Sequence, residues 1–216
     1  MMKSGNLMII DPSLEIPEIE SYNEISLCSP LKTTYHLPAI HSPKTMNHNF
    51  SDTKGVILMG SAASVHDSYP WISSLEQIIR NAVQKHIPIL GICFGHQFLA
   101  HIFGGTVDAL WQNSKKGGVR KVKVLKNNLL EKSKKDFLIY SHREGVIKCP
   151  EDFEIAAISN MVNIEGLIHK TLPIWTFQPH IEASETFSKR IGLSTGEFDK
   201  CNFFGKQLLI SFLKKL

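Results

Sequence analysis

Hydrophobic residues in this chain form short continuous runs separated by stretches of helical periodicity. Continuous apolar runs predict strands that are buried on both faces; the clearest cover residues 7–10, 55–59 and 87–92. Between the last two runs, apolar residues at spacings of three and four predict a helix. Pro70 suits its first turn, and either Asp67 or Ser68 is expected to cap it. The apolar stripe of this helix consists of Trp71, Leu75, Ile78, Ile79 and Val83.

The run at 87–92 leads directly into a second predicted helix over 94–103, which Gly104-Gly105 should end. Cys93 stands between them, with Gly91 and Gly95 two residues to either side. An abrupt turn from strand to helix needs small flanking residues, and it places the apex side chain at the positive end of the helix. Because that field favours a thiolate, Cys93 is a candidate nucleophile. The alternative is an inert buried cysteine that only packs.

The rest of the chain completes an α/β pattern. Prolines interrupt residues 13–50, so short pieces and loops are expected there, whereas an amphipathic helix is predicted for residues 200–216. Further strands are predicted at 119–125, 137–141, 154–158, 166–168 and 174–177. We therefore expect a single domain over 1–216, built on an open, mostly parallel sheet with helices on both faces. Its ligand site should lie at the carboxyl ends of the strands, where Gly60-Ser61 and Cys93 follow two of them.

The composition excludes several classes of protein. The chain has 43% hydrophobic and 20% charged residues, no apolar run long enough to cross a bilayer, and no secretory signal pattern at its start. Its four scattered cysteines contain no C-x-x-C pair, which argues against a zinc site or disulfide framework and predicts a cytoplasmic protein. The net charge of +4 owes much to residues 115–135. A solvated basic face is the preferred interpretation of that segment, ahead of a docking surface for an acidic protein. No nucleic-acid motif is found.

A nucleophilic cysteine needs a base, and the base needs a group that orients it. His96 is close to Cys93 in sequence, but on the following helix it should point away from the apex and pack or bond locally. His180 follows the predicted strand at 174–177, and Glu182 lies two residues further on. Residues two apart in an extended segment share a face, so this carboxylate can orient the imidazole. Taken alone, the pair is better interpreted as two polar residues leaving a strand.

Three strings together resemble a known family. Gly91-Ile-Cys-Phe-Gly-His-Gln97, His180-Ile-Glu182 and the segment 55–65 resemble signatures of class I glutamine amidotransferases. The segment 140–146 adds a local match, and these strings are most similar to the amidotransferase domain of GMP synthase and its stand-alone relatives. The resemblance implies a flavodoxin-like fold and a Cys-His-Glu triad. It implies hydrolysis of the glutamine side-chain amide through a γ-glutamyl thioester, with ammonia passed to a separate acceptor or synthetase.

The resemblance also implies roles for individual residues. Cys93, His180 and Glu182 would form the triad. Backbone N–H groups of Ser61 and Phe94 would form the oxyanion hole. The substrate-binding residues would be Gly60, Gln97, Ser141 and His142. No metal, cofactor, nucleic acid or membrane is implied.

Three departures from the family pattern leave alternatives open. One is Ser141-His142-Arg143-Glu144, which varies on a Ser-His-x-Asp theme. The oxyanion loop reads Gly60-Ser61 where many members have two glycines, and residues 112–118 do not match the family's Gly-Trp-Glu type of segment. The chain also lacks a G-x-x-x-x-G-K-[ST] phosphate loop for a second, ATP-dependent reaction. A hydrolase of another γ-glutamyl compound is one alternative, favoured by a wider pocket near 112–118. A non-catalytic regulatory module on the same fold is the other.

Overall fold

The computed structural model describes residues 4–48 and 50–216. The strands are β1 (Asn6–Ile10), β2 (Lys32–His36), β3 (Thr53–Leu58), β4 (Ile89–Ile92), β5 (Thr106–Ala109), β6 (Lys116–Val124), β7 (Lys134–His142), β8 (Glu144–Lys148), β9 (Phe153–Ser159), β10 (Gly166–His169) and β11 (Ile174–Phe177). The helices are α1 (Ile19–Cys28), α2 (Thr45–His48), α3 (Pro70–Gln84), α4 (Phe94–Ile102), α5 (Glu185–Arg190) and α6 (Thr195–Leu213), and short 3-10 turns lie at Phe50–Asp52 and Trp111–Asn113.

Nine of these strands form one open sheet, in the order β2-β1-β3-β4-β11-β10-β9-β6-β7. The first five pair in parallel, and the remaining neighbours pair antiparallel. Of the described strands in this sheet, β6 and β10 alone run against the others. β5 and β8 form a separate antiparallel pair. The expected open, mostly parallel sheet is therefore confirmed, with an antiparallel extension at one side.

Helices cover both faces of the sheet, which explains why its central strands are apolar throughout. Along β1, Met8 and Ile10 pack into one hydrophobic cluster with α3 and α4, while Leu7 and Ile9 pack into another with α6. The predicted stripe of α3 is buried at Trp71, Leu75, Ile78 and Ile79. Alternate residues of one strand thus serve two cores.

Residues 13–50 contain more regular structure than expected. α1 spans ten residues there, and β2 adds an edge strand parallel to β1. Neither shows a strong apolar pattern: α1 buries only Ser21 and Ile25, and β2 reads Lys-Thr-Thr-Tyr-His. The expectation of short pieces and loops agrees with the five-residue β2 and the four-residue α2. The ten-residue α1 is longer than expected, because a lightly packed helix needs few apolar residues.

Helix ends differ from the predictions in two places. The N-cap of α3 is Tyr69, not Asp67 or Ser68, and the Asp67 carboxylate instead accepts a 2.8 Å hydrogen bond from the backbone of Ser64. The C-terminal helix begins at Thr195, earlier than predicted. It is capped there by reciprocal hydrogen bonds between Ser194 and Glu197.

Candidate active site

Cys93 lies at the turn between β4 and α4 in a backbone conformation that side chains rarely adopt, with φ 53° and ψ −102°. Its N–H donates to the carbonyl of Phe177 at 2.9 Å. A Cβ added to Gly95 would overlap the carbonyl oxygen of Leu58, and one added to Gly91 would come 2.6 Å from the oxygen of Gly95. The two flanking positions therefore have no room for a side chain, as the sequence pattern predicts for such a turn.

His180 and Glu182 lie just beyond β11, next to the end of β4. Nδ1 of His180 is 2.9 Å from Oε1 of Glu182, and both side chains are buried. The backbone N–H of His180 donates to Ile139 on β7 at 2.8 Å, and its ring packs on Phe187 at 4.4 Å between centroids. Glu182 and Phe187 therefore hold the imidazole, and Ile139 holds the backbone that carries it.

Cys93 and His180 line the same cavity, and both lie against the backbone of Gly60. Because Nδ1 is taken by Glu182, Nε2 is the nitrogen left for sulfur. Burial lowers the pKa of His180, but the charges of Cys93 and Glu182 and their hydrogen bonds outweigh burial and hold it well above its ordinary value. The imidazole of His180 therefore keeps its proton to a higher pH than an ordinary histidine does.

The loop after β3 closes the site from the other side. A Cβ added to Gly60 would lie 2.8 Å from Cε1 of His180 and 3.4 Å from Cβ of Cys93, so the backbone passes very close to both. The hydroxyl of Ser61 donates to the carbonyl of Pro12 at 2.6 Å and accepts from the N–H of Ala63 at 3.1 Å. Phe94 is the first residue of α4, where N–H groups have no partner within the helix.

A cavity of about 470 Å³ opens over these residues. Eight of the nine residues expected to form the site line this cavity: Gly60, Ser61, Cys93, Gln97, Ser141, His142, His180 and Glu182. The ninth, Phe94, is not part of the lining. The segment 13–18 and the end of α5 form its far wall. Lys115 is the residue of 112–118 that reaches it.

The side chains of Gln97 and His142 are held by protein groups. Nε2 of Gln97 donates to the carbonyl of Glu144 at 2.7 Å and to Oε1 of Gln178 at 3.0 Å. Nδ1 of His142 is 2.7 Å from the same carbonyl, and its Nε2 is 2.5 Å from Nη2 of Arg120. Burial, with the Arg120 charge, lowers the pKa of His142 to about 3, so its ring is neutral.

Two buried charges near the site were not anticipated. Arg120 on β6 pairs with Glu165 at 2.8 Å, and the side chains are 3% and 0% exposed. The expectation of a solvated basic face holds for the exposed Lys121 and Lys123 but was wrong for Arg120. Strand alternation offered the signal, since Arg120 shares a face with the buried Val122 and Val124.

His96 was expected to pack or to bond locally. It is fully buried and so packs, and its Nδ1 lies 2.7 Å from the hydroxyl of Thr176 on β11. This hydrogen bond is not local, because its partner comes from a distant strand. Burial lowers the pKa of His96 to about 3.

Within the described part of the chain, no three His, Cys, Asp or Glu residues are grouped so that they could hold a metal ion. Residues 4–48 and 50–216 likewise contain no helix with the length and apolar character needed to span a bilayer.

Comparison with known proteins decides the family. The family model for class-I glutamine amidotransferases matches residues 22–193. The chain belongs to this family. Among its relatives is a subunit of glutamine-hydrolyzing GMP synthase from Methanocaldococcus jannaschii, 36% identical over 137 residues, which cover 62% of this chain and 68% of the relative. The corresponding protein of Thermoplasma acidophilum is 31% identical over 159 residues, 69% of this chain and 77% of the relative.

Solved structures agree with this assignment at the level of the fold. A glutamine amidotransferase from Thermotoga maritima superposes with a TM-score of 0.78 at 22% identity, covering 98% of this chain and 97% of that one. A glutamine amidotransferase from Methylobacillus flagellatus superposes with a TM-score of 0.76 at 18% identity, covering 98% and 95%. The resemblance carried by the three sequence strings is thus confirmed: the chain is a class I glutamine amidotransferase domain homologous to the GMP synthase subunits named above.

Proposed function

We propose that this amidotransferase hydrolyses the side-chain amide of glutamine with Cys93 as nucleophile, His180 as acid and base, and Glu182 as the group that orients His180. The observation that supports the proposal is the 2.9 Å contact of His180 with Glu182, in the cavity that Cys93 also lines, at the carboxyl end of a parallel sheet. Each of the three has the chemistry that its role requires.

In the first half-reaction, Sγ of Cys93 attacks the amide carbon of glutamine and the carbonyl electrons move onto oxygen. The N–H groups of Ser61 and Phe94 would hold that oxyanion, a contribution worth on the order of 10²–10³ in kcat for one donor. When the intermediate collapses, the C–N bond breaks and nitrogen takes a proton from Nε2 of His180. Ammonia leaves, and a γ-glutamyl thioester remains on Cys93.

In the second half-reaction, water attacks the thioester while its proton passes to Nε2 of His180. The C–S bond then breaks, glutamate leaves, and the sulfur anion beside protonated His180 is restored. Glu182 accepts the Nδ1–H throughout, so the ring keeps one orientation in both steps. Gln97, Ser141 and His142 would form the wall against which the amino-acid end of the substrate binds, and Gly60 would leave room for its amide.

A partner for the ammonia is proposed from the relatives. They are named as subunits of glutamine-hydrolyzing GMP synthases. We infer that this chain likewise supplies ammonia to a separate synthetase subunit. The four cysteines are all free thiols, in line with a cytoplasmic setting for this activity.

A second candidate is hydrolysis of a larger γ-glutamyl compound by the same residues. Beyond the residues assigned to glutamine, the cavity is lined by the segment 13–18 and by Arg190 and Ile191. We infer that a γ-glutamyl compound with an amine larger than ammonia would contact these walls.

The test is release of ammonia from glutamine by the purified chain, both by itself and with candidate synthetase partners. We expect turnover that Cys93→Ala abolishes, while Cys149→Ala, which removes a thiol outside the cavity, leaves it unchanged. Turnover undiminished in Cys93→Ala would refute the proposal. Turnover of γ-glutamyl amines, but not of glutamine, would favour the second candidate.

A further inference from the structure

A closed ring of hydrogen bonds surrounds the inner wall of the cavity. Glu165 accepts from Arg120, and Arg120 contacts Nε2 of His142. His142 and Gln97 both bond to the carbonyl of Glu144, and Gln97 also donates to Gln178. The N–H of Gln178 closes the ring by donating to the carbonyl of Glu165 at 2.7 Å. The ring thereby joins β6, β7, β8, α4 and the ends of β10 and β11.

The donors in this ring determine the tautomer of His142. A guanidinium has N–H donors and no acceptor, so Nε2 of His142 must accept from Arg120. Nδ1 must then carry the proton, which it donates to the carbonyl of Glu144. Both nitrogens of the His142 imidazole are therefore hydrogen-bonded to protein groups, which excludes His142 as a proton carrier in this arrangement.

Arg120 has further contacts that hold it in place. Its guanidinium lies 3.5 Å from the ring centre of Tyr140 and 5.7 Å from that of Trp111. The Trp111 ring in turn lies 5.1 Å from that of His142. Trp111, Gln112 and Asn113 all have positive φ, so this turn is held in a conformation that is costly for non-glycine residues.

A buried ion pair of this kind is a poor source of stability. Replacing such a pair by apolar residues of similar size is often neutral or stabilising, because two charges no longer have to be desolvated. The position of the Arg120–Glu165 pair next to His142 therefore indicates a functional role in the site.

We propose that Arg120, supported by Glu165, is a positioning residue that holds Nε2 of His142 by a hydrogen bond and so fixes the wall formed by residues 141–144 and Gln97. This inference rests on the proposed function of that wall in binding the amino-acid end of the substrate. Arg120 acts through His142 and does not itself touch the substrate. Losing it should weaken substrate binding more than the chemical step.

The experiment compares the wild type with the double variant Arg120→Met/Glu165→Leu, which removes both buried charges together. Lys123→Met, on an exposed position of the same strand, is the matched control. Long-range ¹H–¹⁵N NMR assigns both imidazole nitrogens of His142 and reports whether Nε2 accepts a hydrogen bond. Steady-state kinetics give KM and kcat for glutamine, and thermal unfolding verifies that the variants fold.

We expect Nε2 of His142 to accept a hydrogen bond in the wild type and in Lys123→Met. In the double variant Nε2 loses its donor, so its ¹⁵N resonance should shift, with KM raised about tenfold or more and kcat changed less than threefold. Arg120→Lys should restore KM only in part, because one ammonium cannot reproduce the forked contacts. An unchanged Nε2 resonance or an unchanged KM in a folded double variant would overturn the proposal. Since the resonance is read without turnover, an inactive wild type would refute the proposed function and leave this test intact.

Discussion

The hydroxyl of Ser61 donates a 2.6 Å hydrogen bond to the carbonyl oxygen of Pro12. This bond ties the loop after β3 to the segment that leaves β1, two neighbouring strands whose carboxyl ends meet at the cavity. Ser61 stands where many family members have a second glycine. Its side chain therefore provides an anchor for the loop that glycine cannot supply.

Ser61→Ala should lower kcat for glutamine about tenfold and change KM by less than twofold. The loop would lose one hydrogen bond, worth about 1 kcal/mol, and with it the fixed direction of the proposed oxyanion donor. Ser73→Ala is the control, because Ser73 donates the same kind of bond to Pro70 at an exposed site. Equal kinetics for both variants would contradict this role.

Gly95→Ala should destabilise the protein by more than about 3 kcal/mol or prevent its folding, since the added carbon would overlap the backbone of Leu58. Gly196→Ala, in α6, meets no atom within 4 Å and should be neutral or stabilising by about 0.5–1 kcal/mol. Urea unfolding measures both. A Gly95→Ala variant as stable as the wild type would show that the turn at Cys93 is less tightly closed than described.

Cys93→Gly and Cys93→Ala should both lack activity but differ in stability. Cys93 has φ 53° and ψ −102°, so glycine would relieve strain that alanine keeps. We expect the glycine variant to be more stable than the alanine variant by about 1 kcal/mol, as measured by urea unfolding. The opposite order would mean that the turn stores no such strain.

Stability should fall as pH drops below about 6.5. Burial lowers the pKa of His36 to about 4 and those of His96 and His142 to about 3, whereas histidines titrate near 6.5 in the unfolded chain. Between these values the unfolded state binds more protons than the folded state, so acid favours unfolding.

The test of this pH dependence compares unfolding free energies at pH 7 and pH 5. His96→Gln should lose less stability over that interval than the wild type, by on the order of 2 kcal/mol. His41→Gln, at an exposed histidine, controls for the substitution itself. Identical losses in the wild type and His96→Gln would mean that His96 is not held neutral by the fold.

The parts of this protein that can be predicted are those where a local sequence pattern is compatible with only one local structure. Apolar runs marked the central strands because both faces are buried, and glycines two residues either side of Cys93 marked the tight turn. The edge strand β2 and helix α1 escaped prediction, because their exposed positions carry polar residues and little periodicity. Distant pairings such as Arg120 with Glu165, or His96 with Thr176, depend on strand order, which hydrophobic pattern does not encode.

The most direct test of the central claim is labelling with a glutamine analogue that carries an alkylating group in place of the amide, followed by peptide mass spectrometry. The proposed mechanism predicts one label on Cys93, protection by glutamine, and loss of ammonia release in proportion to labelling. Label on Cys28, Cys149 or Cys201 instead, or a fully labelled Cys93 with ammonia release intact, would contradict it.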